Sequence, residues 1–216
     1  MDWLRAAFIT LVGKPLARLF TGTDVIGREH LPVSGPAIIA ANHASHVDTL
    51  MLLTIFKARA IPKVRPAAAS DYFLKDPVVG WFSQKVIGII PVARDRVKDG
   101  EDVLAPARQA LADGCIVIVF PEGTRRAEDA DDDLGRLKNG VARLAEAFPS
   151  APVIPVWLQG AGRVLPKGKV IPVPMNCTVL AGPPVFWEGR RTPFMDALRD
   201  GLQALRDKAP PQRWDS

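Results

Sequence analysis

The run from Cys115 to Phe120 is the feature that most constrains the fold of this chain. It is apolar at every position and is bounded by Gly114 and Pro121. A strand with one solvated face alternates apolar and polar residues, whereas a continuous apolar run of this length indicates a strand buried on both faces. The run therefore predicts a central strand in a sheet that is covered on both sides.

Further strands and helices are predicted along the chain. The predicted strands are Ala37–Ala41, Val86–Val92, Val153–Leu158 and Cys177–Leu180, and the predicted helices are Val47–Ile55, Val103–Leu111, 138–147 and Phe194–Arg206. Strands that alternate with helices favour an α/β fold with a mostly parallel sheet flanked by helices. With 216 residues the chain fits a single domain, assigned to residues 23–216.

An amphipathic helical segment is predicted at residues 1–22. Its apolar stripe contains Leu4, Phe8 and Leu11, and the opposite side contains Arg5, Lys14 and Arg18. Pro15 is expected to kink or divide this segment, because proline disrupts the helix interior. Two readings stay open: a helix that packs on the protein's own core, or helices that lie in a membrane interface.

Charge and hydropathy limit the partners and the compartment. Lysine and arginine total 28 against 23 acidic residues, which indicates either an ordinary solvated basic surface or a phosphate-bearing partner, namely nucleic acid, anionic lipid headgroups or a phosphorylated cofactor. A single tyrosine, with no basic stretch interleaved with aromatics, argues against nucleic acid.

No apolar run approaches the roughly 20 residues of a spanning helix, and no signal peptide is evident. We expect a peripheral or monotopic protein on the cytoplasmic face of the membrane, with Cys115 and Cys177 as buried thiols.

The first candidate constellation is the segment Asn42-His43-Ala44-Ser45-His46-Val47-Asp48. It follows a predicted buried strand and enters the next helix, and this bend lets Asp48 turn back toward His43. An aspartate that accepts one imidazole N–H fixes the tautomer and frees the other nitrogen as a general base. No serine or cysteine nucleophile is needed if the substrate brings its own hydroxyl.

Two other interpretations of this segment remain. Ser45 and Asp48 match a capping box at the start of a helix, which accounts for Asp48 but not for His43. A metal site built from His43, His46 and Asp48 lacks a further His or Cys cluster to complete its ligands, so no metal is expected.

The second constellation is Phe120-Pro121-Glu122-Gly123-Thr124-Arg125-Arg126, directly after the central strand. Ligands of open α/β sheets bind beyond the carboxyl ends of the strands. Glycine allows close backbone approach, and arginine binds phosphate bidentately, so this turn suits a phosphate. A solvated Pro-Gly turn is the alternative.

Together these segments resemble the motif pair of the lysophosphatidate (1-acylglycerol-3-phosphate) acyltransferase family, Asn-His-x-x-x-x-Asp and Phe-Pro-Glu-Gly-Thr-Arg. Three weaker similarities occur in the family's order: Gly88–Arg94, Leu137–Gly140 and Val153–Val156. The resemblance covers roughly residues 25–185.

The resemblance implies an α/β acyltransferase with a lysophospholipid acceptor and an acyl thioester donor, either acyl-CoA or acyl-carrier protein. It implies no metal or organic cofactor held by the protein. His43 is then the base and Asp48 its orienting partner. The residues implied to bind substrate are Arg94, Glu122, Gly123, Thr124, Arg125 and Lys138; for Glu122, bracing of the turn is the alternative role.

Two departures from the family pattern bear on the acceptor. Arg126 stands where a serine is usual, and an acidic insert occupies Glu128–Asp133. Both alter the charge beside the expected phosphate site.

The leading hypothesis is acylation of the sn-2 hydroxyl of lysophosphatidate. Acylation of another lysolipid (lysophosphatidylethanolamine or an acylated amino-acid lipid), a non-catalytic lipid-binding protein and a hydrolase are the alternatives.

Overall fold

The structure of this protein is a computed structural model, and its central feature is a β-sheet. The structure describes residues 2–45, 47–69, 76–92, 102–123, 134–165 and 172–211. Within these ranges the strands are β1 (Asp24–Ile26), β2 (Ala37–Ala41), β3 (Val64–Ala69), β4 (Ile90–Val92), β5 (Ile116–Val119), β6 (Val153–Gln159) and β7 (Thr178–Ala181). They form one sheet in the order β1-β7-β6-β2-β5-β3-β4. Neighbouring strands are parallel except β6 and β7, which are antiparallel.

Helices cover both faces of the sheet. In the described ranges they are α1 (Asp2–Phe8), α2 (Lys14–Thr21), α3 (Val47–Thr54), α4 (Pro77–Phe82), α5 (Ala105–Ala112), α6 (Gly140–Ala147), α7 (Ala161–Val164) and α8 (Arg191–Asp207). π-Helical turns at Ile9–Gly13 and Ser83–Ile87 follow α1 and α4. The predicted α/β class with a mostly parallel sheet and an N-terminal helical segment is confirmed.

The central strands divide their side chains between two hydrophobic clusters. Ile116 and Ile118 of β5 pack on the face covered by the N-terminal helices and α3, and Val117 packs on the face covered by α5, α6 and α8. A strand with two covered faces needs apolar residues at every position. This burial explains why the run that contains β5 is continuously apolar.

The strand predicted at Val86–Val92 is wrong in its first half. Residues Ser83–Ile87 form a π-helical turn, Gly88 adopts a left-handed conformation with φ of +79°, and β4 begins only at Ile90. A Cβ atom on Gly88 would lie 2.5 Å from the guanidinium carbon of Arg5, so only glycine leaves room for that side chain. The local apolar pattern indicated a strand, but a contact with the distant N-terminal helix determines the conformation.

The predicted division of the N-terminal segment near Pro15 is present, because the π-helical turn Ile9–Gly13 separates α1 from α2 and Pro15 lies in the first turn of α2. The chain nevertheless stays helical across this division, since Gly13 and Lys14 keep right-handed helical torsion angles. Buried residues recur at every fourth position, namely Arg5, Ile9, Gly13, Ala17 and Thr21. In a regular α-helix such a series would rotate by about 40° at each step. The wider π-helical turn at Ile9–Gly13 reduces this drift and keeps one face on the core.

This helix presents an unexpected face to the core. Arg5, predicted to lie on the polar side, is only 2% exposed and donates hydrogen bonds to the carbonyl oxygens of Ile61, Val64 and Ile87. The exposed large apolar side chains of the segment are Trp3, Leu4, Leu11, Val12, Leu16 and Leu19. The buried positions therefore hold small or polar residues apart from Ile9, and Phe8 and Phe20 pack partly against the core. Most of the other large apolar side chains of the segment point outward.

Two cations hold the C-terminal end of α3, the helix that begins with Val47 and Asp48. Lys14 Nζ donates to the Phe56 carbonyl at 2.7 Å, and Arg28 Nη1 donates to the Ile55 carbonyl at 3.0 Å. Positive charge is favourable at this end of a helix. Burial lowers the pKa of Lys14, and the nearby Arg28 charge lowers it further.

Candidate active site

The two candidate constellations of the sequence meet at one edge of the sheet. Strands β2 and β5 are parallel neighbours, with Ala40 aligned to Val119, so their carboxyl ends lie side by side. Asn42 and His43 follow β2, and Phe120 follows β5. This edge is where open α/β sheets bind their ligands.

His43 and Asp48 form a hydrogen-bonded pair. The distance from His43 Nδ1 to Asp48 Oδ2 is 2.8 Å, and the Asp48 side chain is fully buried while the imidazole is partly exposed. A neutral imidazole that donates its Nδ1–H to this carboxylate has its free lone pair on Nε2. The pair thus has the arrangement in which Nε2 can act as the base.

One carboxylate oxygen organises the whole loop. Besides His43, Asp48 Oδ2 accepts the backbone N–H groups of Ala44 at 2.8 Å and Ser45 at 2.9 Å. Oδ1 has no hydrogen-bond partner among the described residues. The capping interpretation and the catalytic one are therefore compatible, because the same oxygen caps the start of α3 and orients the imidazole.

Neighbouring polar side chains hold this loop to β6 and to the residue that follows α7, and the sequence did not reveal their partners. The buried Asn42 amide donates to the Leu158 carbonyl at 3.0 Å and accepts the Leu158 N–H at 2.6 Å. Ser45 Oγ donates to the Leu165 carbonyl at 3.0 Å and accepts the Val47 N–H at 3.3 Å. The residues on either side of His43 are thereby fixed, which restricts the orientation of its ring.

Glu122 connects the two candidate motifs. Its Oε1 accepts the backbone N–H of His43 at 3.2 Å, and its Oε2 accepts the N–H of Gly135 at 3.2 Å. The side chain is buried, and a Cβ atom on Gly135 would lie 2.6 Å from Oε2. Of the two roles considered for Glu122, these contacts are those of a carboxylate that braces the turn.

Gly123 and Lys138 lie together on the next part of this edge. Gly123 adopts a left-handed conformation with φ of +73°, and a Cβ atom there would lie 2.6 Å from Lys138 Nζ. The Lys138 N–H donates to the Pro121 carbonyl at 2.7 Å, which fixes the backbone beneath the side chain. Glycine at this position lets an ammonium group approach the backbone of the turn.

Phe120 completes the surroundings of the imidazole. Its ring stacks on His43 with a centroid separation of 4.1 Å and an interplanar angle of 22°. The stacked ring covers one face of His43 and restricts rotation about its side-chain bonds. Sequence reasoning included Phe120 as the first residue of the second constellation but gave it no contact with His43.

Several predicted site residues lie outside the described ranges. These are Arg94, Thr124, Arg125, Arg126, His46 and the acidic insert Glu128–Asp133. Among the described residues, no group of three or more His, Cys, Asp or Glu side chains is arranged to hold a metal ion. The structure brings together His43, Asp48, Glu122, Gly123 and Lys138.

This arrangement has the elements of general base catalysis on a bound hydroxyl. The imidazole is held in one tautomer by a buried carboxylate, and a cation lies beyond Glu122 on the adjoining turn. An aspartate in this position also stabilises the imidazolium that forms when the base takes a proton.

Comparison with known proteins agrees with this chemistry. The family described as Acyltransferase matches residues 22–159. A chloroplastic 1-acyl-sn-glycerol-3-phosphate acyltransferase of Brassica napus is 32% identical over 150 residues, which cover 69% of this chain and 40% of the relative. The 1-acyl-sn-glycerol-3-phosphate acyltransferase of Bacillus subtilis is 29% identical over 201 residues, which cover 90% of this chain and 94% of the relative.

A solved structure shares the fold. The 1-acyl-sn-glycerophosphate acyltransferase of Thermotoga maritima matches with a TM-score of 0.68 and 25% identity, covering 93% of this chain and 79% of that one. The chain thus spans less than half of the plant relative but almost the whole bacterial one. The family match extends from the end of the N-terminal helix to the end of β6 and includes both candidate motifs, and the chain therefore belongs to the acyltransferase family.

Proposed function

We propose that this protein transfers a fatty acyl group from an acyl thioester to the sn-2 hydroxyl of lysophosphatidate, giving phosphatidate. The observation that carries the proposal is the His43–Asp48 pair, joined through Glu122 to the turn that contains Gly123. The names of the Brassica napus and Bacillus subtilis relatives support the choice of acceptor.

The reaction requires one proton transfer in each direction. His43 Nε2 takes the proton of the acceptor hydroxyl as its oxygen attacks the thioester carbonyl, and Asp48 stabilises the resulting imidazolium. Collapse of the tetrahedral intermediate breaks the carbon–sulfur bond, and the imidazolium returns the proton to the departing thiolate. The products are an ester and a free thiol, and His43 is regenerated.

The acceptor phosphate is proposed to bind beside this pair. Within the described part of the site, Lys138 supplies a cation, and its ammonium group lies against the Gly123 backbone. We assign Arg94, Thr124 and Arg125 to the same phosphate on the family resemblance alone. A guanidinium group binds a phosphate through two parallel hydrogen bonds, which supplies both charge and geometry.

The donor is a soluble acyl thioester, acyl-CoA or acyl-carrier protein. The chemistry at the thioester carbon is the same for both, so the His43–Asp48 pair does not select between them. All groups in the proposed reaction come from this chain and its two substrates, so the mechanism requires no cofactor held by the protein.

The acceptor is a lipid, and we propose that the protein meets it as a peripheral protein on an anionic membrane surface at the cytoplasmic face. The outward apolar side chains of the N-terminal helix, together with the exposed Arg18, support this. In the described part of the chain, no helix has the length and hydropathy needed to cross a bilayer.

A related acceptor is the second candidate. Arg126 and the acidic insert Glu128–Asp133 depart from the family pattern next to the expected phosphate site. The carboxylates of the insert favour a lysolipid whose headgroup carries a cation, for example lysophosphatidylethanolamine or an acylated amino-acid lipid. A non-catalytic lipid-binding protein has no need of the buried aspartate that orients His43.

Product identification distinguishes these possibilities. Purified protein is incubated with a mixture of lysolipids and either acyl-CoA or acyl-carrier protein, and the new lipids are identified by mass spectrometry. We expect phosphatidate as the main product and no product with the His43→Ala variant. A diacylated product with another headgroup identifies the second candidate, and thioester loss without an acylated lipid identifies a hydrolase.

A further inference from the structure

We infer that helix α4 (Pro77–Phe82) is a second lipid contact, forming one bilayer-binding surface with the outward face of the N-terminal helix. The inference rests on the proposed function, since it explains how a lipid acceptor reaches this protein. It concerns residues outside the catalytic motifs and makes a separate prediction about membrane binding.

Helix α4 has the inverted pattern already seen in the N-terminal helix. Gly80 is buried within α4, and Ser83, the first residue after the helix, is also buried. In contrast, Val78 is 74% exposed and Trp81 is 58% exposed. Val79 and Phe82 are exposed as well. Folding normally removes large apolar side chains from water, so large apolar groups clustered outward in a short helix indicate a surface that is not in contact with water in function.

The two apolar segments are held together by specific contacts. Phe8 and Phe82 meet edge to face with ring centroids 5.7 Å apart. Arg5 donates to the Ile87 carbonyl at the end of the turn that follows α4, and Gly88 leaves room for its guanidinium group. A buried arginine bound to three carbonyl groups of two segments fixes the N-terminal helix against the α4 region. The exposed residues of both segments therefore form parts of one rigid surface.

The chemistry of this surface fits an anionic lipid bilayer better than a protein. Tryptophan with aliphatic side chains on short helices is typical of segments that lie in the headgroup region. The exposed charged side chains of α2, α4 and the turn after α4 are Arg18, Lys85 and Asp76. Asp76 caps α4 through the N–H groups of Val78 and Val79, so its charge is engaged with the helix, while Arg18 and Lys85 suit anionic headgroups.

Vesicle flotation of the full-length chain tests the inference. The probe is a vesicle of phosphatidylcholine and phosphatidylglycerol, and the variants are Trp81→Glu in α4 and Leu11→Glu in the N-terminal helix. Val33→Glu is the matched control, because Val33 is 72% exposed and lies outside both segments. We expect each of the first two variants to lower the partition coefficient by about tenfold or more, and the control to stay close to wild type.

Two results would overturn the inference. The first is Trp81→Glu binding vesicles like wild type while Leu11→Glu does not, which would leave the N-terminal helix as the only contact. The second is a wild-type dimer that Trp81→Glu converts to a monomer in sedimentation velocity without vesicles, since α4 would then cover a second copy of the chain.

An activity assay separates this inference from the proposed function. With lysophosphatidate in detergent micelles, Trp81→Glu should acylate like wild type, and with lysophosphatidate in vesicles it should be slower. Absence of acyltransferase activity in the wild-type protein in both systems would count against the proposed function only, because vesicle flotation does not depend on catalysis.

Discussion

At the scale of the residue, the site depends on how Asp48 uses its two oxygens. Oδ2 accepts from His43 Nδ1 and from two backbone N–H groups, and Oδ1 is buried without a hydrogen-bond partner among the described residues. Concentrating three donors on one oxygen fixes the loop and the tautomer of His43 together. A change at Asp48 that preserves shape should therefore act on catalysis more than on folding.

The variant Asp48→Asn tests this expectation. The asparagine side chain is nearly isosteric and its carbonyl oxygen can still accept the Ala44 and Ser45 N–H groups, but it cannot stabilise the imidazolium of His43. We expect kcat to fall by about 10²–10⁴-fold, the usual contribution of a general base, with little change in KM. The measurement is steady-state acyl transfer, together with the thermal unfolding midpoint.

The control for this variant is the unfolding midpoint itself. A large loss of stability accompanied by a proportionate loss of active protein would assign Asp48 a capping role alone. A kcat near that of wild type in a folded protein would remove Asp48 from the mechanism.

The catalytic pair could be predicted from the sequence because its members are five positions apart across a strand-to-helix bend. Asn42 could not be given its role, since its partner Leu158 is separated from it by 116 positions and the pairing depends on β2 and β6 being neighbours. The same holds for Glu122, whose contact with His43 exists only because β2 and β5 are adjacent in the sheet.

At the scale of the element, the attachment of the N-terminal helix determines where β4 starts. Arg5 binds the carbonyl groups of Ile61 just before β3, of Val64 at the first position of β3, and of Ile87 at the end of the turn after α4. An unpartnered buried guanidinium is costly, whereas hydrogen bonds of a charged group stabilise by about 1.5–3 kcal/mol each. Gly88 is required at this junction for two reasons, its positive φ and the space occupied by Arg5.

A pair of glycine substitutions separates these two reasons. Gly189 has φ of +83° and no atom within 4 Å of a Cβ position, so Gly189→Ala measures the cost of the backbone conformation alone. That cost is about 1–2 kcal/mol. We expect Gly88→Ala to reduce the free energy of unfolding by a further amount of about 1.5–3 kcal/mol, because it displaces Arg5. Urea denaturation measures both.

Equal losses of stability in the two variants would contradict this account of Gly88. It would mean that the Arg5 side chain moves aside at no cost and does not hold the helix. The variant Arg5→Met, in which the glycine is retained, then gives an independent measure of the same contact.

The elements predicted well are those whose own residues determine them. The strands β2 and β5 are apolar over their whole length, and β6 is apolar up to its last residue, Gln159, because helices cover both faces. Strand β3 was missed because Arg65 and Pro66 interrupt its apolar pattern. The turn before β4 was predicted as strand because the Arg5 contact that bends it is 82 positions away in sequence.

At the scale of the whole molecule, the fold divides catalysis and lipid contact between two regions. The carboxyl ends of β2 and β5 carry His43 and Glu122, whereas the outward faces of the N-terminal helix and α4 carry the large apolar side chains. The single α/β domain was predictable from the alternation of strands and helices. The orientation of the N-terminal helix was not, since its apolar stripe suited either a core or a bilayer.

That orientation also affects how membrane binding should be tested. Ile9 and Arg5 are buried against the core, so removal of residues 1–20 would expose part of the core as well as remove the outward apolar face. Single substitutions of exposed residues such as Leu11 leave these packed contacts in place. They therefore report on the membrane surface without the stability loss expected from the deletion.

The central claim is that His43 activates the acceptor hydroxyl, and acceptor-dependent thiol release measures this directly. Purified wild type, His43→Ala and the control His30→Ala are compared for release of free thiol from an acyl thioester, with and without lysophosphatidate. His30 lies outside the candidate site, in a short helical turn after β1.

We expect lysophosphatidate to stimulate thiol release by wild type and by His30→Ala, and the stimulated rate of His43→Ala to be lower by about 10²–10⁴-fold. A His43→Ala protein that unfolds at the wild-type temperature and keeps a near wild-type stimulated rate would contradict the account.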